Sequence, residues 1–419
     1  MHRYRFDAYL DKVFDFSERV SALPEGRQYP QHPWKKVFDA VFLGAACQFA
    51  SLHAIEAECR LGAFRTRVGP ISEDTLRYAL QRQETALVLG LQCEVARRLK
   101  RIGVLRSEWA RGRVVAAVDG IEICGSFARC CDTCMERRVK RKVQGELQES
   151  IQYYHRIVAV TVVSTPFSIP LGIRFQKQGE TEVDCALTLL RELNERLGRR
   201  FLDVLVGDAL YLQKPFVQAV EALGLEWVFT LKENQPDLLA EAQRLTTGEP
   251  DVEQSESKQQ IQLWHAPQVF WPVADRDLRV VKALRTQKIN KVRIHNDQVK
   301  KQTVKELVEQ QSTNFFASNL QLDAIPPTFI YQLGQSRWAI DSEVFQTITT
   351  DSHLKHPSVH QGHDRALVML TMIRLLAYTL TMVFYHRQVC SHRRRYPLGF
   401  CDLAKKLTYQ FLVELFDTS

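Results

Sequence analysis

Hydrophobic and polar positions along the 419-residue chain change their period more than once, and each change marks a different architecture. From Pro33 to about Lys100 apolar residues recur at helical spacing, as in Val37, Val41, Phe42, Ala45 and Ala46, and Ser72 ahead of Leu76 reads as a helix start. From Arg113 to about Leu245 short apolar runs alternate with helical stretches. The runs Val114–Val118, Ile157–Ser164, Asp203–Gly207 and Trp227–Leu231 predict strands, and 182–197 and 215–223 predict helices. Strands interleaved with helices argue for an α/β sheet covered on both faces. From Gly248 to about Asn319 the sequence turns polar, and Gln260–Trp264, Val269–Trp271 and Leu278–Leu284 predict an inserted β-rich subdomain. After Pro326 the helical pattern returns. The chain thus divides into a helical N-terminal domain (1–110), a first α/β part (111–247), a β-rich insertion (248–325) and a helical last part (326–419).

Composition narrows the class. At 45% hydrophobic and 25% charged residues the chain is globular rather than disordered, and its length allows two or three units at roughly 150 residues each. The stretch from Ala366 to Tyr385 is long enough to span a bilayer. Arg374 near its middle and Thr371, Thr379 and Thr381 make it a buried core helix instead. The N-terminus carries no continuous apolar run of the secretory kind, and the cysteines Cys47, Cys59, Cys93, Cys185, Cys390 and Cys401 are scattered singly, as reduced thiols are in a cytoplasmic protein. A net charge of +8 is compatible with a polyanionic partner. Basic residues gather at Arg137, Arg138, Lys140, Arg141 and Lys142, from Lys282 to Lys305, and at Arg393, Arg394 and Arg395; each cluster also reads as a solvated face.

The candidate chemistry begins with two aspartates. Asp119 ends the run Val114–Val118 and Asp208 follows Val204-Leu205-Val206-Gly207. A carboxylate where a buried strand ends sits at the rim of the sheet, where two such groups can converge on a divalent metal; singly, each also reads as a turn or cap residue. In Gln335-Ser336-Arg337-Trp338-Ala339-Ile340-Asp341-Ser342-Glu343, an Arg and a carboxylate four residues apart share one face of a helix, so Arg337 can hold a phosphate while Asp341 faces the metals. Glu343 is the other candidate for the third acid; two residues along a regular helix is about 200° of rotation, which keeps it from facing the same site as Asp341. Separately, Cys124, Cys130, Cys131 and Cys134 lie close together, and Cys131-x-x-Cys134 has the spacing of half a zinc knuckle.

Taken together these segments resemble a bacterial insertion-sequence transposase of the DDE type, whose catalytic domain is RNase H-like and carries a β-rich insertion before the last catalytic helix. Asp119 in Ala117-Val118-Asp119-Gly120 matches the family's first acid, and Asp208 in Val206-Gly207-Asp208-Ala209-Leu210-Tyr211 its second. Leu231-Lys232-Glu233-Asn234-Gln235 is similar to the strand ending in a Lys and followed by Asn-Gln, a stretch expected near nucleic acid. Arg337-Trp338-x-Ile340 matches the Arg-Trp-x-Ile-Glu signature, with Asp341 where the family has Glu. The family's Tyr before the Arg and Lys after the acid are not in register: positions 334 and 348 are Gly and Ile, with Tyr331 and Lys355 nearest.

The resemblance implies two Mg2+ or Mn2+ ions about 3.5–4 Å apart on Asp119, Asp208 and Asp341, and metal-dependent DNA cleavage and strand transfer. It implies double-stranded DNA as partner, both terminal inverted repeats and target, a dimer in the DNA complex, no membrane, and work at the bacterial nucleoid. The N-terminal domain would bind DNA ends or dimerise. Arg337, Lys232, Asn234 and Trp338 are the expected DNA contacts. Trp264 or Trp271 would stack on an unpaired base or else pack in the core. A structural Zn2+ would be held by Cys131, Cys134, His155 and either Cys130 or Cys124, His155 lying in the His-containing strand that follows the Cys-x-x-Cys in similar proteins; with no second Cys-x-x-Cys to complete the site, the same cysteines also read as reduced thiols in a mobile loop rich in Arg and Lys. Asp341 in place of Glu leaves two other readings: a catalytically impaired or domesticated RNase H-like DNA-binding protein, or a nuclease without strand transfer.

Overall fold

The structure, a computed structural model, describes residues 5–143, 146–256, 259–297, 300–320, 325–355, 359–360, 362–390 and 398–417. Arg393, Arg394 and Arg395 lie outside the described residues, as do the side chains of 290–307. By compactness the chain forms two units. One gathers Met1–Arg106, Val118–Phe201 and Trp338–Ser419; the other gathers Ser107–Ala117 and Leu202–Arg337. Both are built from separated stretches, whereas the four segments read from the sequence simply follow chain order.

In the first unit, helices α1 (Phe6–Phe14), α2 (Phe16–Ser21), α3 (Trp34–Ala46), α4 (Leu52–Leu61), α5 (Glu73–Arg82) and α6 (Thr85–Arg101) come first. Ser51 and Ser72 begin α4 and α5 by accepting the N–H groups of Ala54 (3.1 Å) and Thr75 (3.3 Å), the second being the start expected from the sequence. Strands β1 (Val115–Ser126), β2 (Met135–Val143), β3 (Glu146–Val162) and β4 (Ile169–Phe175) follow, with β3 antiparallel to both β2 and β4 and beside β1. Helix α7 (Glu182–Leu197), capped by Thr181, packs its apolar face of Cys185, Ala186, Leu189 and Leu193 on β3 and β4.

The second unit holds β5 (Val204–Gly207), α8 (Lys214–Ala222), β6 (Glu226–Leu231), α9 (Pro236–Leu245), β7 (Val252–Glu256), β8 (Gln259–Trp271), β9 (Arg276–Asp297), β10 (Lys300–Ser318) and α10 (Pro327–Ser336). The first residues of β1 belong here, pairing parallel to β5 with Val115 on Val204, Ala116 on Leu205 and Ala117 on Val206. Strand β6 is parallel to β5, with α8 as the crossover, and β10, β9, β8 and β7 continue beyond β6 as antiparallel neighbours. The β-rich insertion is therefore an extension of the sheet edge. The runs Gln260–Trp264 and Val269–Trp271 are one strand, β8, whose register shifts between Ala266 and Val269; Pro267 lies in that gap and has no N–H to offer the ladder. Parallel and antiparallel strands flanked by helices make this the mixed α/β class expected from the sequence.

The chain then returns to the first unit through π-helical stretches Ile340–Phe345 and Thr347–Asp351, and ends with α11 (Arg365–Phe384) and α12 (Phe400–Asp417). Helix α11 is the one described helix long and apolar enough to cross a membrane, and it is buried within the protein along most of its length. It packs against α3, α5 and α6, and Phe384 meets Phe6 and Tyr9 of α1. Its polar residues are accommodated locally: Thr371 and Thr379 donate to the carbonyls of Leu367 (2.7 Å) and Leu375 (2.9 Å) one turn back. Arg374 is buried, and its guanidinium donates to the carbonyls of Ser352, Phe49 and Ala50. Burial moves its pKa down to about 10, so it is still charged at neutral pH, where a cation out of water needs that cage. Replacing Arg374 with Met, which fills similar volume without donors, strands those carbonyls. Urea denaturation of Arg374→Met is expected to show a loss of about 3 kcal/mol, and an unchanged midpoint would refute the caging role.

Candidate active site

Strand β1 is buried from Val114 to Val118, and the half-buried Asp119 is the first residue past that run. Its Oδ1 accepts the N–H of Gly120 at 2.8 Å. A Cβ on Gly120 would lie 2.5 Å from the carboxyl carbon of Glu182, so a side chain there would displace that carboxylate. Glu182, the first residue of α7, pairs with Arg156 at 3.3 Å. This second carboxylate beside the first acid was not singled out in the sequence, where it reads as an ordinary acidic first-turn residue.

Asp208 follows the buried strand β5 and caps the 3₁₀ turn Ala209–Tyr211, its Oδ1 accepting the Leu210 N–H at 2.8 Å. The loop is held from below by the segment after β6. Asn234 Nδ2 donates to the Ala209 carbonyl (2.7 Å), and Gln235 Nε2 to that of Leu212 (2.9 Å). Gln235 Oε1 also accepts the Trp271 indole N–H at 2.8 Å, which links the insertion to the Asp208 loop. Asn234, expected as a DNA contact, thus has its side-chain amide on the backbone beside the second acid. Lys232 is exposed next to it.

The third acid's segment departs from a regular helix. Helix α10 ends at Ser336, Arg337 lies in a turn, and a π-helical stretch begins at Ile340. Arg337 and Asp341 therefore do not lie on one continuous α-helix as expected; between them the chain passes through a turn and into i→i+5 bonding. Ile340, Val344 and Phe345 are buried, Asp341 is exposed and Glu343 is half-buried. Glu343 Oε2 accepts the N–H of Ser168, from the turn between β3 and β4, at 2.7 Å. Gly334, where similar proteins have Tyr, faces Phe316: a Cβ there would come within 2.3 Å of the ring. Tyr331 packs edge-on against the same ring, with 6.1 Å between centroids.

The tryptophans divide. Trp338 is 42% exposed, whereas Trp264 and Trp271 are 9% and 0% exposed. Trp264 donates to the Gly248 carbonyl (3.0 Å) and lies under the Lys282 ammonium. For these two the core alternative holds, and base stacking is withdrawn because neither ring has an open face. Arg137, Arg138, Lys140, Arg141 and Lys142 are exposed on the β2–β3 hairpin, where Arg137 makes a two-pronged pair with Glu122 (2.8 and 2.7 Å).

A separate cluster lies within the first unit. The Sγ atoms of Cys131 and Cys134 are 3.6 Å apart, His155 Nε2 is 3.0 Å from the first and 3.4 Å from the second, and His360 Nε2 is 3.1 Å from Cys134 Sγ. The four donor atoms all lie within 4.8 Å of one another. Burial lowers the pKa of His155 to about 4 and moves that of His360 down, and burial raises the Cys134 thiol to about 12. Two expected ligands are corrected. Cys130 is exposed, and Cys124 is buried with its N–H and thiol on the Leu354 carbonyl (3.2 and 3.5 Å). The fourth donor is His360, 226 residues from Cys134, which no local spacing could reveal.

With this geometry in hand, the comparisons fix the class. The family model described as transposase DDE domain matches residues 120–380, more than half of the chain, a span that takes in Asp208, Asp341 and Glu343 and begins one residue past Asp119. The chain belongs to this family of DDE transposase domains. No curated protein matches the sequence. Among solved structures, the cryo-EM structure of the piggyBac transposase synaptic complex with hairpin DNA is similar at 10% identity and a TM-score of 0.39, over 98% of this chain and 78% of that one; the family assignment rests on the family model alone.

The Asp208 loop generates a test. Replacing Asn234 with Ala removes the donor to the Ala209 carbonyl, at an expected cost of about 1 kcal/mol. Hydrogen exchange at residues 209–212 is expected to speed up in the variant, and unchanged exchange would show that the loop is fixed by other means.

Proposed function

We propose that the protein is a DNA transposase that binds the ends of its mobile element and cuts and rejoins DNA strands by metal-assisted phosphoryl transfer, acting as a dimer on DNA at the bacterial nucleoid. The observation that carries the reading is the register of β1 on β5. Ala117 pairs with Val206 in parallel strands, and Asp119 and Asp208 each lie two residues beyond that pair. The third acid is Asp341, exposed on its π-helical turn, while Glu343 is engaged by the Ser168 N–H and secures the turn.

This donor set is made of hard carboxylate oxygens, which suit Mg2+ or Mn2+. When bound, two such ions lower the cost of forming the attacking oxyanion and of releasing the leaving one in an in-line displacement. Asp119, Asp208 and Asp341 orient the site and offset the charge held there. Water, and later a freed 3′-hydroxyl, adds its oxygen to phosphorus as the bond to the leaving oxygen breaks; the attacking group's proton passes to solvent and the leaving oxygen takes one up. Arg337 and Lys232 contact backbone phosphates, Arg337 through its planar fork and Lys232 as a point charge. Trp338, next to Arg337 in sequence, is an exposed aromatic suited to a base or sugar face. One feature favours a second reading, a binding protein without catalysis: Asp341 is one methylene shorter than the family's Glu.

Cleavage and joining of a DNA carrying the element's ends, assayed with Mn2+, separates these. Asp119→Ala, Asp208→Ala and Asp341→Ala are each expected to lose about a hundredfold or more in cleavage rate while keeping DNA affinity. Glu343→Gln keeps an acceptor for Ser168 and is expected to stay within about tenfold of the parent. An inactive Glu343→Gln beside an active Asp341→Ala would move the third acid to Glu343. Tight DNA binding by the parent protein without any cleavage would overturn the enzymatic reading, and cleavage without joining would reduce it to a nuclease.

A further inference from the structure

We propose that Cys131, Cys134, His155 and His360 bind one structural Zn2+ ion, which fastens the segment after β1 to the segment that follows the third acid. The donor chemistry is the first argument. Two thiol sulfurs and two imidazole nitrogens form the Cys2His2 set that zinc takes in closed, four-coordinate sites. The geometry is the second. Zn–S bonds of about 2.3 Å and Zn–N bonds of about 2.0–2.1 Å in a tetrahedron require donor-to-donor edges of about 3.3–3.8 Å. Of the four observed separations, 3.4 and 3.6 Å fall within that range and 3.0 and 3.1 Å lie a few tenths of an ångström below it, close enough for small side-chain shifts to seat the ion. With all four positions filled by protein no coordination site is left for substrate, which makes the ion structural.

The surroundings are those of a built site. The Cys131 N–H donates to Cys134 Sγ at 3.2 Å, which would stabilise a thiolate there. Cys134, His155 and His360 are buried. The two segments that bring the donors together are also joined by their backbones. Asp132 N–H donates to the Gly362 carbonyl (2.9 Å), Asp364 N–H donates to Asp132 Oδ1 (3.0 Å), His363 Nδ1 lies 2.8 Å from Asp132 Oδ2, and Thr133 donates to Asp364 (2.8 Å). The other described group of metal-ligating side chains, His53, Glu56 and Glu73, lacks these features: His53 is exposed and Glu56 already accepts the Glu73 N–H.

The ion would close a large loop. Cys131 and Cys134 follow the strand that carries Asp119, and His360 follows the π-helical turns that carry Asp341 and Glu343. Along this second stretch Ser352 is held by Arg374 and Leu354 by Cys124, so the zinc would be its third anchor. All these contacts lie within the first unit. The ion therefore belongs to the framework and takes no part in phosphoryl transfer, and its test is independent of DNA cleavage.

Full-length protein purified without chelator is expected to carry one zinc per chain by elemental analysis. Its Co2+-exchanged form is expected to show the visible bands of tetrahedral cobalt with a thiolate charge-transfer band. Competition with a chromophoric chelator should give His360→Ala an affinity lower by on the order of a hundredfold or more. Cys130→Ser should match the parent, and His360→Cys should recover stoichiometric metal as a Cys3His site, which guards against a variant that merely misfolds. Protein isolated with substoichiometric metal despite added zinc, or with a Cys131–Cys134 disulfide, would overturn the proposal. So would a loss of affinity in Cys130→Ser with none in His360→Ala.

Discussion

The parallel pairing of β1 with β5 is the constraint on which the rest of the molecule turns. Both strands are buried on both faces through their paired residues, as parallel strands covered by helices are, and the ladder of Val115 on Val204, Ala116 on Leu205 and Ala117 on Val206 sets their register. Each strand delivers an aspartate two residues past the last registered pair, where the apolar run gives way to half-buried positions. Burial of apolar side chains, rather than ion pairing, holds the paired stretch of the two strands together.

Beyond the strands, the acid-bearing segments are irregular and are secured by side chains bonded to backbone. Asn234 and Gln235 hold the Asp208 loop, Glu343 meets Ser168, and Arg374 and Cys124 hold the stretch that follows the π-helical turns. Asn234 and Gln235 do this through neutral amides, which fix the backbone of the loop without adding charge beside Asp208. Trp271 extends this support into the β-rich insertion through Gln235, so the insertion contributes to the order of the loop as well as to the sheet edge. A set of metal-binding acids needs supporting residues whose own positions are determined, since a site an ångström too loose loses much of its rate.

Much of this was legible in the chain. The runs before Asp119 and Asp208 are strands, although β1 continues through Asp119 to Ser126 instead of ending there; 182–197 is a helix to the residue, and the mostly apolar stretch around Arg374 forms a core helix, because burial on a sheet or in a bundle leaves a strong pattern. What escaped was set by long-range packing. The π-helical turn at Ile340–Phe345 keeps apolar spacing close enough to an α-helix to hide the change of period. Trp264 follows Leu263 and Trp271 follows Phe270, so alternation alone does not say which ring turns inward, and pairing with β9 and the Gln235 contact decide their burial. His360 sits in an irregular segment with no periodic neighbours, so its meeting with Cys134 is a property of the fold alone. Gly334 stands where a Tyr was expected because Phe316 already fills the space a side chain would need.

The central claim, that acids from three distant segments serve one metal site, is tested most directly by letting the metal mark its own ligands. With Fe2+ in place of Mg2+ in the protein–DNA complex, ascorbate and peroxide generate hydroxyl radicals that cut the polypeptide beside the bound ion. The account predicts fragments ending near Asp119, Asp208 and Asp341, all suppressed together by excess Mg2+. Cuts confined to one of these segments, or cuts at all three that Mg2+ does not suppress, would contradict it.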